Sequence, residues 1–213
     1  MHLGKFMALG ALATLLLCLP AFADTWKVFP VPTSGVYIPS TTNYGGGDGS
    51  LNTISSLGAF NFSTPLTELS VPASWPTWNC PPATESCTPN VLWTDGVTTI
   101  RLTLTANANT AGIEVEPHIM QAEFVSVIFR SSTGSSFLIT RSANGSSGAL
   151  LFAAQDDTPG AHIVAVDIVD NASDDFAIAQ LRQGNSVPEP STMILLGSGL
   201  LSAVALVRRK LDL

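Results

Sequence analysis

A chain of 213 residues that is 46% hydrophobic, only 12% charged and carries a net charge of −7 lacks the basic footprint that a nucleic-acid partner requires. So little charge spread over so much apolar residue points to membrane-inserting ends around a water-facing middle.

Taken from the start, residues 1–23 open on Lys5 and run apolar from Phe6 to Leu19. They break at Pro20 and finish in Ala21-Phe22-Ala23. This is the layout of a secretory signal peptide with small residues at the cut, so the mature chain is expected to begin at Asp24. The alternative, an uncut starting membrane anchor, needs roughly 20 apolar residues, and this run is shorter. Cys18 lies inside the apolar run with no small residue before it, which argues against lipid attachment.

Residues 24–186 are long enough for one domain with its own core. Strands are expected around "VYIP", "AFNFS" and "TELSV", with "TTNYGGGDGSLN" as a flexible Gly-rich turn between them. The stretch "PASWPTWNCPPATESCTPN" is so rich in proline that it must run as an irregular loop. It holds Cys80 and Cys87, an even pair close in sequence. In an oxidising compartment these favour one local disulfide, the alternative being two free thiols or half a metal site.

Beyond the loop, "TTIRLTLTA" alternates Ile100, Leu102 and Leu104 with Arg101, Thr103 and Thr105. "AGIEVEPH" sets Ile113 and Val115 against Glu114 and Glu116. Further strands are expected in "AEFVSVIFR", "SFLITRS", "GALLFAA", "HIVAVDIVD" and "FAIAQLR", separated by turns rich in Gly, Asn, Asp and Ser. Short strands at regular spacing imply an all-β fold, an antiparallel β-sandwich of jelly-roll type, with few helices and no second domain.

Chemistry-bearing residues are sparse in this domain. His118 and His162 sit in no catalytic motif, and neither a nucleophile elbow nor a phosphate-binding loop occurs. Glu114 and Glu116 share one face of a strand at roughly 6.6 to 6.8 Å, within reach of an inverting glycosidase pair; the competing reading is like charges on a solvated face. Asp170, Asn171, Asp174 and Asp175 gather in one turn, and Asp48 lies in the Gly-rich loop. These are candidate ligands for a structural calcium, or else plain solvated acids. Trp75 and Trp78, with Trp93 nearby, flank the cysteine loop and are candidates for stacking on a sugar ring. The competing reading has them closing one end of the core. No other cofactor is expected.

The chain ends on "VPEPSTMILLGSGLLSAVALVRRKLDL". Met193 to Val207 carries no charge and as a helix would rise about 22 Å, barely enough for a hydrocarbon core of about 30 Å. Arg208, Arg209 and Lys210 follow at once and place the C-terminus on the cytoplasmic side. Pro188 and Pro190 hold the approach extended, as a processing enzyme needs.

Pro188-Glu189-Pro190, a short apolar helix at 193–207 and a terminal basic cluster, in that order, closely resemble the PEP-CTERM sorting signal of bacterial exported proteins. The resemblance implies that Pro188, Glu189 and Pro190 are the recognition element, that residues 193–207 are a transient membrane helix, and that Arg208, Arg209 and Lys210 are the stop. It also implies that exosortase is the processing partner. "GIEVEP", "GALLFAA" and "DDFAIAQLR" are similar to an ectodomain found in that family. Residues 1–23, 24–186 and 187–213 are thus expected to be leader, β-sandwich and sorting tail. The whole is expected to be a non-enzymatic protein of structural or binding type, exported through the inner membrane to the cell surface or beyond, where extracellular polysaccharide is a candidate partner. The alternative is a secreted carbohydrate-binding module or carbohydrate-active enzyme delivered by the same route.

Overall fold

A computed structural model describes residues 25–146, 148–171 and 175–185. The expected leader (1–23), Cys18, Asp174, the Pro188-Glu189-Pro190 motif, the 193–207 span and Arg208, Arg209 and Lys210 lie outside the described residues. The elements are β1 (Trp26–Val28), a single helical turn α1 (Tyr37–Ser40), β2 (Thr41–Asn43), β3 (Thr53–Leu57), β4 (Phe60–Ser70), β5 (Asn90–Trp93), β6 (Thr99–Ala108), β7 (Thr110–Pro117), β8 (Ala122–Ser131), β9 (Ser136–Asn144), β10 (Leu150–Asp156), β11 (Ile163–Asp170) and β12 (Phe176–Gly184). None of the described helices is long and apolar enough to cross a membrane.

Every strand pairing is antiparallel, and the hydrogen-bonded order is β1-β10-β7-β12-β5-β4-β6-β11-β8-β9, with β2 on β12 and β3 on β4. The fold is all-β, as the alternation requires. The expected pair of separate sheets is instead one sheet folded over on itself, sandwich-like and nearly closed. The corner is β4. Its first residues, Phe60 to Phe62, pair with β6, and its last, Thr67 to Ser70, pair with β5. Pro65 sits between the two ladders, where a residue without an N–H leaves no donor unpaired. The expected "AFNFS" and "TELSV" strands are therefore one strand that serves both walls.

The folding over brings β7 against β8, β9 and β11. The interior is filled by Phe60, Leu102, Ile113, Phe129, Phe152 and Ile168, all buried. At the seam the two edge strands meet through Trp26 of β1 and Phe137 of β9, whose rings stack with centroids 5.6 Å apart.

Two further expectations change. "VYIP" is not a strand: Ser40 N–H donates to the Val36 carbonyl at 2.9 Å, and the Thr41 hydroxyl closes on the Tyr37 carbonyl at 2.6 Å. The resulting turn buries Tyr37 completely. The Gly-rich segment is packed rather than loose. A Cβ on Gly46 would fall 2.0 Å from the Asn90 carbonyl oxygen, and Glu68 accepts from the Asp48 amide (3.0 Å) and the Ser50 hydroxyl (3.1 Å).

The two outer faces of the folded sheet differ. On the β10-β7-β12-β5 side, Phe29 and Tyr37 lie on Leu151 and Ala153, while Trp75 and Trp78 of the Pro-rich loop lie among Val91, Ala177 and Ala179. This side is roofed, which is why every residue of β7 is buried. The outer side of β6, β11, β8 and β9 has no such cover, and Phe124 and Leu138 stand 62% and 57% exposed there.

Candidate functional site

The densest polar chemistry lies beneath the roof. Glu114 and Glu116 alternate with Ile113 and Val115 as expected. Both acids are nevertheless fully buried, which corrects the reading of a solvated face. The disulfide loop supplies what burial takes away. Cys80 and Cys87 are joined, and the loop they staple lowers its donors onto the two acids. The Trp78 indole N–H donates to Glu114 Oε2 at 3.0 Å and the Glu85 amide to Glu114 Oε1 at 2.6 Å. One strand repeat further on, the Trp75 indole reaches Glu116 Oε1 at 3.4 Å and the Thr77 hydroxyl lies 2.7 Å from the same oxygen.

Thr77 couples the charge state of Glu116 to the Gly145 carbonyl. Its hydroxyl is also 2.7 Å from the Gly145 carbonyl oxygen, which can only accept. A hydroxyl has one hydrogen to give, so both contacts are satisfied when Thr77 donates to Gly145 and Glu116, carrying a proton, donates to Thr77. The electrostatics agree. Burial pushes the Glu116 carboxyl up to about 7 against the bonds from Thr77 and Trp75. It pushes Glu114 up to about 8, with Trp78 and the Glu85 amide tempering the rise.

Beside Glu114 the roof is pinned by a buried ion pair. Arg182 donates from Nε and Nη2 to the two Glu85 oxygens at 2.6 and 2.7 Å, and Nη1 holds the Thr41 carbonyl at 3.2 Å. The Tyr37 hydroxyl is enclosed above Gly112, where a Cβ would sit 2.1 Å from it. Burial first, and then the Glu85 and Glu114 carboxylates, raise its pKa well above the usual phenol value.

At the far end of the same strand face, His118 places Nδ1 2.7 Å from Asp175 Oδ1 and is half-exposed. Asp175 Oδ2 accepts from the Trp93 indole at 2.8 Å and the Gly96 amide at 3.0 Å. The imidazole lies between Trp75 and Trp93, with ring centroids 5.2 and 6.4 Å away. His162 is elsewhere, its backbone paired with Ser132.

The candidates from sequence are therefore distributed as follows. Trp75 and Trp78 are buried and face the acids, so neither offers an open ring for a sugar. Asp175 is turned toward His118 and Trp93. Asp170 is buried, and Asn171 donates to the Phe124 carbonyl and the Ser126 hydroxyl, both at 2.9 Å. Asp48 Oδ1 accepts from the Ser50 amide at 2.9 Å. Among the described residues no group of three or more His, Cys, Asp or Glu is arranged to hold a metal ion. Sequence reasoning missed the Glu85 to Arg182 pair and the His118 to Asp175 contact. A readable signal did exist for the roof: three indole N–H groups close together in sequence each need an acceptor.

In this arrangement the acids act as anchors for a covering loop, and the fold defines an all-β, sandwich-like domain with one roofed outer face. Residues 186–210 match the family model of the PEP-CTERM protein-sorting motif. The chain carries that motif, which implies an exported protein handled by exosortase and held transiently by its C-terminal region. No curated protein matches the chain. Among solved structures, it is similar to the enzymatically active domain of tailspike protein 4 of bacteriophage CBA120, at 13% identity and a TM-score of 0.33 over 66% of this chain. The chain spans only 21% of that tailspike domain. It is also similar to a mutant of the CBM29-2 family 29 carbohydrate-binding module (11% identity, TM-score 0.29, 78% of this chain and 99% of that one). A family 11 carbohydrate-binding module from a Clostridium thermocellum cellulosomal cellulase gives 9% identity, a TM-score of 0.30, and coverage of 79% and 99%. Likenesses this distant carry no argument about ligand or activity.

Proposed function

We propose that the chain is a cell-surface or extracellular-matrix protein of non-enzymatic, structural or binding type: a leader at 1–23, a jelly-roll-like β-sandwich ectodomain at 24–186, and a tail at 187–213 that exosortase cuts near Pro188-Glu189-Pro190. The observation that carries this reading is the sorting motif matched over residues 186–210. A non-enzymatic role is supported by the use made of the acids. Glu114 and Glu116 face the indoles and hydroxyl of their own loop and are enclosed away from solvent. The test is mass spectrometry of both termini of the protein recovered separately from membrane, cell surface and medium. A mature N-terminus at Asp24 and loss of residues 191–213 from the released protein are expected. Released protein that still carries those residues refutes the processing step.

A further inference from the structure

The unroofed outer face is built differently from the roofed one. Four residues stand opposite one another across it in register: Arg101 of β6, Asp167 of β11, Ile128 of β8 and Leu138 of β9. This row spans roughly 14 Å at the usual strand spacing. Arg130 lies diagonal to it, paired with Ala165. Arg101 donates Nε and Nη2 to Asp167 at 2.5 and 2.9 Å, and Arg130 donates Nε at 2.6 Å. Asp167 is only 7% exposed, whereas the two arginine side chains are 50% and 42% exposed. The carboxylate thus holds two guanidiniums on side chains that stay about half exposed. Of the five donors on each, Arg101 has committed two and Arg130 one.

These two are half of the arginines in residues 24–186, and the others are spoken for: Arg182 in the buried pair, Arg141 on the carbonyls of Pro30 and Leu151. The next row along the face carries Ser126 and Thr140, their hydroxyls 3.0 Å apart. Apolar Leu138 and Phe124 lie open beside them. A face with a cation pair at one side, fixed hydroxyls, and exposed apolar groups at the other has the complement of an amphipathic acidic sugar chain. In such a chain carboxylates alternate with hydroxyls and C–H faces. Guanidinium forks match carboxylates in geometry as well as charge.

We propose that the open face of β6, β11, β8 and β9 binds an anionic polysaccharide, its carboxylates held by Arg101 and Arg130 and its sugar rings lying along Ile128 and Leu138. A second copy of the chain is a poor occupant, because residues 24–186 carry fourteen Asp and Glu against five Lys and Arg and copies repel. The same excess acid repels a polyanion at long range. Binding therefore depends on contact, and needs enough salt to screen the net charge but not the clamped pair.

The choice of a polysaccharide rests on the exported location proposed above, while the cation pair does not, so the test is made on purified protein. The full chain in detergent is passed over beads bearing polygalacturonate, neutral hydroxyethyl cellulose or poly-glutamate, at about 0.15 M and about 1 M salt. Retention on polygalacturonate alone, at the lower salt, is expected. The R101Q/R130Q variant should reduce it about tenfold, the loss of one charge-assisted bond or more. Because that variant strands Asp167, R101Q/D167N/R130Q is run beside it with a urea unfolding curve, and this folded, neutral triad should show the same loss. Undiminished retention of the folded triple variant overturns the proposal. So does equal retention on hydroxyethyl cellulose or poly-glutamate, or no retention of the parent chain. Failure of the fractionation experiment, by contrast, would leave the bead result standing and remove only the location.

Discussion

Glu114 and Glu116 are acids that the fold keeps as acids. A proton on Glu116 lets the Thr77 hydroxyl satisfy both of its contacts, and burial pushes both carboxyls up toward the neutral range. The sign of the pH effect follows. Unfolded, each would titrate near its ordinary 4.5; folded, Glu116 holds its proton to about 7 and Glu114 to about 8. Between those limits the native state binds more protons than the unfolded chain, so stability falls as pH rises. Arg182 tempers the cost at Glu114, while Glu85 adds to it. Asp167 works in the opposite sense but only below its ordinary 3.8, because the Arg101 and Arg130 bonds outweigh its burial. Urea midpoints measured from pH 4.5 to 8 should therefore decline steadily. The E114Q/E116Q variant, which keeps the shape and removes the titration, should flatten the slope. A midpoint that climbs over this interval would contradict the buried, protonated state.

At the scale of elements, the Pro-rich loop matters more than its irregular path suggests. It meets the two acids through Trp75, Thr77, Trp78 and the Glu85 amide, and the Cys80 to Cys87 bond lies among them. Closing so short a ring removes roughly 2 kcal/mol of chain entropy from the unfolded state. Replacing both cysteines by serine should lower stability by about that amount. It should also expose the loop to protease before the sheet unfolds. Urea curves with and without reductant, read beside limited proteolysis, check both. Identical midpoints and cleavage rates would show that the bond does not hold the roof. Part of this was readable in the chain: "GALLFAA" and "FAIA" offer no polar face, the mark of strands covered on both sides. In β7 the period of two pointed the other way, because alternation records a difference between faces and not which face meets water.

At the scale of the whole molecule, the main path of the sheet ends on β1 and β9, and the fold brings these two strands together instead of leaving both bare. The Trp26 to Phe137 stack spans that seam. Aromatic pairs contribute about 0.5–1.5 kcal/mol beyond the area they bury. A double-mutant cycle of Trp26→Ala and Phe137→Ala should accordingly return a coupling near 1 kcal/mol in urea unfolding, and additive losses would mean the edges do not depend on each other. Closure also produces the contrast between the two outer faces. The N-terminal segment and the disulfide loop both fall on the β10-β7-β12-β5 side, leaving the β6-β11-β8-β9 side open.

Local features determined the β class, the positions of β6 through β12, the cysteine pairing and the sorting tail, since each is written in neighbouring residues: alternation, turn chemistry, spacing, an apolar run beside a basic cluster. The fate of individual polar side chains was decided only by the tertiary structure. Glu114 meets Trp78 across 36 residues, Arg101 meets Asp167 across 66, and Glu85 meets Arg182 across 97. Whether an acid on a strand is solvated, protonated or clamped between cations depends on what packs above that strand, and folding brings that cover from distant parts of the chain.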